Sequence, residues 1–179
     1  MSRILPDITT VKQHQEQISQ NPEVYRPKQC PHCGKGGLHC HGNYKRNTPR
    51  GEGLAFSLGP LYIPRFYCPG CGKTCSRLPA CLSPRRHYSW KSQQAVLALL
   101  LAGVSIFNAS RHLCPSRHTI GRWWRRLHAQ YAEHGFYLRN RFPGLGRHAS
   151  LADFWSVCLE QMSLADAMAW LDRDGVIVP

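Results

Sequence analysis

Two cysteine pairs carry the clearest chemistry in this chain: Cys30-Pro31-His32-Cys33 and Cys68-Pro69-Gly70-Cys71. Each is a Cys-x-x-Cys followed by glycine, Gly34 or Gly72. Two residues between thiolates let one tight turn aim both sulfurs at one metal, and the following glycine supplies the backbone freedom that turn needs. Two such turns give four thiolates, the tetrahedral set that Zn²⁺ accepts in structural sites. A single pair would be weak evidence, because redox dithiols share the motif, but the βαβ context of that reading is absent. The expectation is a four-cysteine zinc ribbon with Cys30, Cys33, Cys68 and Cys71 as ligands. Cys40, Cys75 and Cys81, with His32, His39 and His41, lie close enough in sequence to extend or replace this set; Cys75 is the sharpest rival.

The second chemical signal is charge. The 179 residues carry a formal net charge of +13, which points to a polyanionic partner. Residues 1–149 hold 22 of the 23 Lys and Arg but only five of the ten Asp and Glu. Residues 150–179 hold Arg173 against Asp153, Glu160, Asp166, Asp172 and Asp174. A basic body with an acidic tail suits a nucleic-acid binder better than a membrane-surface protein. No apolar run approaches the ~20 residues of a spanning helix, and no signal-peptide core opens the chain. Nine cysteines in knuckle spacing point to a reducing, cytoplasmic setting and to metal rather than disulfides. No Walker ending, H-x-x-x-H or H-E-x-x-H is present, so no small-molecule substrate or catalytic metal site is read.

These groups need elements to position them, and the fold class expected is small α+β. Residues 1–27 form a leader, with a helix over 8–20 stopped at Asn21-Pro22 or a partly ordered segment as alternatives. The ribbon occupies 28–81. Its strands are expected over 38–46, 54–58 and 61–67; Pro64 favours an edge position for the last. A basic turn at 45–50 carries Lys45, Arg46 and Arg50. A three-helix unit follows over 89–134, with Ser89, Ser105 and Ser116 as caps and Gly103 as a stop. Residues 135–149, with Gly135, Pro143, Gly144 and Gly146, read as a linker. Residues 150–179 read as an acidic tail of two helices, 151–162 and 164–172, capped by Ser150 and Ser163.

Residues 106–126 have the spacing of a helix-turn-helix. Ile106 and Ala109 face inward, Leu113-Cys114-Pro115 turns, and the next helix buries Ile120 and Trp123. Arg117, His118, Arg122 and Arg125 are left on another face. Such a helix lies in the major groove, where its early residues reach base edges. Arg122, Arg125, Arg126, Lys45, Arg46 and Arg50 are placed to meet phosphates. The competing reading is a Trp-rich packing unit with a solvated Arg face.

Cys-Pro-x-Cys-Gly at Cys30 to Gly34, Arg-x-Tyr-Cys-Pro-x-Cys-Gly-Lys-Thr at Arg65 to Thr74 and Ser-x-x-Thr-Ile-x-Arg-Trp at Ser116 to Trp123 together resemble a known family. It is the N-terminal module of bacterial insertion-sequence transposases and related mobile-element proteins. The resemblance covers about residues 28–128 and implies a ribbon plus helix-turn-helix that binds the element's terminal inverted repeats in double-stranded DNA. Two departures stand out. Cys114-Pro115 replaces the usual Gly and apolar residue of the turn. Only about fifty residues follow the recognition helix, too few for the family's three-acid Mg²⁺ domain. The tail's five acidic residues therefore read as a solvated helix face. The expectation is a non-enzymatic DNA-binding protein that acts at element ends or regulates the element. Alternatives are a truncated or partnered transposase subunit and a protein or RNA interaction module. A homodimer suits inverted sites, and the apolar tail residues are expected to pack on the body or on a second subunit.

Overall fold

The computed structural model describes residues 3–49, 59–84, 87–176 and 178. These residues form a small α+β fold with six α-helices and short strands. The expected strand at 54–58 and Arg50 lie outside the described residues. Among those described, no helix is long and apolar enough to cross a membrane.

The N-terminal half is built around the cysteine pairs. Strand β1 (Ile4–Leu5) precedes helix α1 (Val11–Gln20). A capping box starts α1: Thr10 Oγ1 accepts from Gln13 N, and Gln13 Oε1 accepts from Thr10 N, both at 3.1 Å. The helix stops at Asn21-Pro22 as its sequence requires, and a 3-10 turn over Pro22–Tyr25 follows. Strands β2 (His39–Arg46), β3 (Leu61–Tyr67) and β4 (Thr74–Cys75) form an antiparallel sheet in the order β2-β3-β4.

Pro64 therefore sits in the middle strand, not at an edge. The sheet tolerates it locally. Among the described residues β4 pairs only with Phe66 and Tyr67, and the β2–β3 register shifts between Cys40 and Asn43, beside the Asn43–Pro64 pair. β5 (Leu78–Pro79) then pairs in parallel with β1, Ile4 against Leu78. The leader is thus part of the fold, held by a pairing too short to leave a sequence pattern.

The C-terminal half is helical: α2 (Trp90–Leu101), α3 (Ile106–His112), α4 (Arg117–Arg141), α5 (Leu151–Gln161) and α6 (Leu164–Arg173). Ser89, Ser105, Ser116, Ser150 and Ser163 each cap the helix that follows, their hydroxyls accepting from the third residue's N–H. Gly103 ends α2 at φ +84°, with Val104 N bonded to Leu99 O at 2.9 Å and Gly103 N to Leu100 O at 3.1 Å. This is the left-handed stop for which glycine is suited.

The expected break at Gly135 is absent. Helix α4 runs through it to Arg141. One glycine costs a helix only about 1 kcal/mol, and here the bare backbone is used: a Cβ on Gly135 would lie 2.9 Å from an Arg139 guanidinium nitrogen. From that position Arg139 donates to Tyr131 Oη at 2.7 Å and to His148 O at 2.9 Å. The true connection is a 3-10 turn at Pro143–Arg147, closed by buried Leu145.

The segment after this turn is no appendage. Phe154, Trp155, Leu164 and Leu171 join Trp90, Leu97, Leu127 and Leu138 in the largest core cluster. The tail packs on its own body. Of its acidic residues, Asp153, Glu160, Asp166 and Asp174 are exposed, as expected of a solvated face, and Asp172 is the exception. Asp172 is 4% exposed, and its Oδ2 accepts from Arg3 N at 2.5 Å and Ile4 N at 2.8 Å. Asp153 and Asp166 accept from the capping hydroxyls of Ser150 and Ser163, each at 2.6 Å. Asp172→Ala removes the acceptor of two backbone N–H groups. Charged hydrogen bonds contribute about 1.5–3 kcal/mol each, so a clear drop in urea midpoint is expected; an unchanged midpoint would show that this latch is dispensable.

Two buried histidines give the fold a pH signature. His134 is 1% exposed, 6.1 Å edge-on from Trp155. Burial, with Arg126 adding to it, pushes its pKa down to about 4. Burial likewise lowers His14, which meets Tyr25 Oη at 2.6 Å, to about 4. Both are neutral in the native state, whereas the unfolded chain takes up protons below about pH 6.5. Stability is therefore whole above that pH and falls as pH drops toward about 4, by about 1.4 kcal/mol per pH unit per histidine. Urea melts across this range should slope less steeply for His134→Leu than for the parent chain; equal slopes would exclude His134 as a contributor.

Candidate metal centre and basic helix face

The two cysteine turns are near copies. In the first, Cys30 N donates to Lys35 O at 2.8 Å and Gly34 N to Cys30 O at 2.9 Å. In the second, Cys68 N donates to Lys73 O and Gly72 N to Cys68 O, both at 2.9 Å. Gly34 and Gly72 take φ of +74° and +68°, the left-handed conformation that penalises any side chain. A Cβ on Gly70 would meet the Lys35 side chain at 2.6 Å, so the second turn keeps glycine where the first has His32.

The sheet brings the turns together. β3 runs directly into Cys68, and β2 pairs along β3 just after the first turn. Arg26 braces the approach: its guanidinium donates to Leu38 O, pairs with Glu23 at 2.5 Å and lies 5.2 Å from the Phe66 ring.

The four sulfurs lie within 4.8 Å of one another. Cys30 and Cys71 Sγ are 3.7 Å apart, and Cys33 and Cys68 Sγ 3.6 Å. Tetrahedral bonds of about 2.3 Å to zinc would set sulfurs about 3.8 Å apart, so the donor set fits such an ion. Burial pushes the Cys30 thiol up, but backbone N–H groups of His32 and Cys33 bring it down to about 7. At Cys71 the Lys73 N–H acts the same way, yet burial and the neighbouring sulfurs raise the thiol to about 12. Four thiolates this close need a cation among them. Cys30, Cys33, Cys68 and Cys71 can hold one metal ion.

The rival cysteines fall outside this set. Cys75 packs against the cluster from β4, and burial, with the charge on Cys30 and Cys68, raises its pKa. Cys40 is exposed on β2 and Cys81 is half-buried. His39 and His41 are exposed on β2, and the His41 ring rests near Tyr67 at 5.8 Å.

The expected basic residues separate into two groups. Arg117, His118, Arg122, Arg125 and Arg126 lie on α4, and all five are exposed. Behind them Ala109, Ile120 and Trp123 are buried with Val96 and Leu100. Three of the arginines are steadied along the helix: Arg122 to Thr119 Oγ1 at 3.4 Å, Arg125 to Gly121 O at 3.4 Å and Arg126 to Gln130 Oε1 at 3.3 Å. Lys45 is exposed on β2, 6.0 Å from the Tyr62 ring. Arg46 is half-buried and donates to Ser83 O. Sequence spacing missed the bracing role of Arg26 and the convergence of the leader on the end of β2; neither carries a local motif.

No curated protein and no solved structure matches the chain. A family described as a domain of unknown function matches residues 30–123, from the first cysteine of the metal set to the core tryptophan behind the basic face of α4. The match covers more than half of the sequence, and the chain belongs to this family, DUF6431.

Proposed function

We propose that the chain is a zinc-dependent, sequence-specific double-stranded DNA-binding protein related to insertion-sequence transposases. In this reading residues 28–81 are a four-cysteine zinc ribbon, and α2, α3 and α4 are a helix-turn-helix with α4 as recognition helix. The setting is the bacterial cytoplasm, at mobile-element ends or in regulation of the element.

One observation carries the reading: the exposed basic residues along the first turns of α4, Arg117, Arg122, Arg125 and Arg126. Like α1, α2 and α3, α4 has no acid in its first turn, and it alone of these opens with two successive basic residues, Arg117 and His118. Cations at a helix N-terminus are disfavoured by about 0.3–1 kcal/mol. A polyanion docked there reverses that sign. The short α3 and the buried Ala109–Ile120–Trp123 contact support it as a platform for presenting α4 to a groove. Asp153, Asp166 and Asp172 of the tail have structural partners, as described above, which favours a binding role over strand-transfer chemistry.

The test is a duplex enriched from a randomised library, bound by the parent chain and by Arg→Ala variants. Arg117→Ala or Arg122→Ala, where it reads a base, should cost about 1–3 kcal/mol and relax one position of the site. Lys45→Ala should weaken selected and scrambled duplexes alike. Uniform losses for every variant would exclude direct readout by α4.

A further inference from the structure

We propose that a basic groove between the sheet and the start of the helical unit is a second phosphate-binding site, the seat of a DNA backbone; this rests on the DNA-binding reading above. The groove has a volume of about 570 Å³, and its lining includes Arg3, Lys45, Arg46, Asn47, Ser76 and His87. Among the described residues, no carboxylate lines it.

Three distant stretches of chain make this groove, and each brings a basic side chain. The β1–β5 pairing sets Arg3 beside Leu78, with Leu78 N bonded to Arg3 O at 2.7 Å. The end of β2 supplies Lys45 and Arg46. Arg46 donates to Ser83 O, which ties that strand end to the connector carrying His87. Asp172 takes the backbone N–H of Arg3, and the Arg3, Lys45 and His87 side chains are exposed.

A concave site of one charge sign focuses its field and attracts counter-charge more strongly than scattered surface cations. The mixture is the one that meets nucleic-acid backbones: arginine and lysine for charge, with Ser76 and Asn47 as neutral donors to phosphate oxygens. The groove would add phosphate contacts without adding sequence information, while the exposed face of α4 supplies the reading.

The experiment uses the full zinc-loaded chain and fluorescence anisotropy over a salt series. The variants are Arg3→Ala, His87→Ala and the pair Arg3→Ala with Lys45→Ala, each checked for melting temperature and metal content. Removing one phosphate-binding cation makes the slope of log K against log salt shallower by about 0.9, so the paired variant should differ from the parent by about 1.8. Its affinity should fall by the same factor on selected and scrambled duplexes, and inorganic phosphate should compete only weakly.

A paired variant with the parent's slope and affinity overturns the groove and leaves the DNA-binding reading standing. A parent chain that binds no duplex overturns both. Tighter binding of duplex RNA, or displacement of DNA by inorganic phosphate at low concentration, overturns the assignment of the groove to a DNA backbone.

Discussion

Stripping the metal from the four cysteines is expected to unfold the β2–β4 sheet while leaving most of the helical signal in place. The apolar clusters around the sheet are small: Leu5, Ile8, Tyr25, Leu38 and Phe66 pack with Cys30 and Cys68 in one, and Leu61, Ile63, Leu78 and Leu82 form another. Cores of this size rarely hold a fold unaided. A structural zinc site contributes about 10–16 kcal/mol in small zinc-finger peptides, as much as or more than the total stability of many domains. Without the ion, four sulfurs within 4.8 Å must take up protons and lose their common partner. Cys68→Ser should therefore abolish stoichiometric metal binding and melt the sheet, read by metal analysis and by amide dispersion in NMR spectra. Cys40→Ala and Cys75→Ala should keep one ion per chain. A Cys68→Ser protein that holds one ion with a native sheet would show that the ligand set is wrong.

Deleting residues 150–179 is expected to destroy cooperative unfolding of the helical unit. That segment supplies Phe154, Trp155, Leu164, Ala167, Met168 and Leu171 to the core shared with α2 and α4. Leu164 N also bonds Gln94 Oε1 at 2.8 Å, tying the start of α6 to α2. A milder version is Trp155→Ala at a position with 0% exposure. Truncating a buried Trp costs about 3–5 kcal/mol, a large part of the stability of an ordinary domain. The lost stability should appear in calorimetry as a lower and broader transition. A truncated chain that unfolds with the parent's cooperativity would mean that the tail only decorates the surface.

The helical half was legible in sequence because its signals are local. Five serines at helix starts and Gly103 at a stop are single-residue devices whose physics needs no tertiary partner. The cysteine set was legible for the same reason: two turns of fixed spacing bring Cys30, Cys33, Cys68 and Cys71 into one cluster able to hold a metal ion. What escaped depends on contacts between distant residues. The two-residue pairing of β1 with β5 is too short for any periodicity. Gly135 reads as a breaker until Arg139 is seen lying over it. Asp172 reads as one more acidic surface residue until the backbone of Arg3 and Ile4 is placed against it. Pro64 argues for an edge strand, yet β3 is the middle strand; β4 is short enough to leave Pro64 a neighbour on one side only among the described residues.

The same contrast runs through the candidate nucleic-acid contacts. The arginines of α4 follow from helical periodicity, because Ile120, Trp123 and Leu127 set the buried stripe and leave the cations outside it. Lys45 and Arg46 were legible as a basic strand end, but their company was not. Arg3 and His87 reach the same groove only through the fold.

The most direct measurement is the affinity of the zinc-loaded chain for its library-selected duplex against a scrambled duplex, titrated with salt, before and after chelation. The account predicts tighter binding to the selected duplex, a steep loss of affinity with salt as counterions are released on phosphate contact, and loss of that binding on chelation. Equal, weak binding to both duplexes, unchanged by the chelator, would contradict it and reduce α4 to a packing helix.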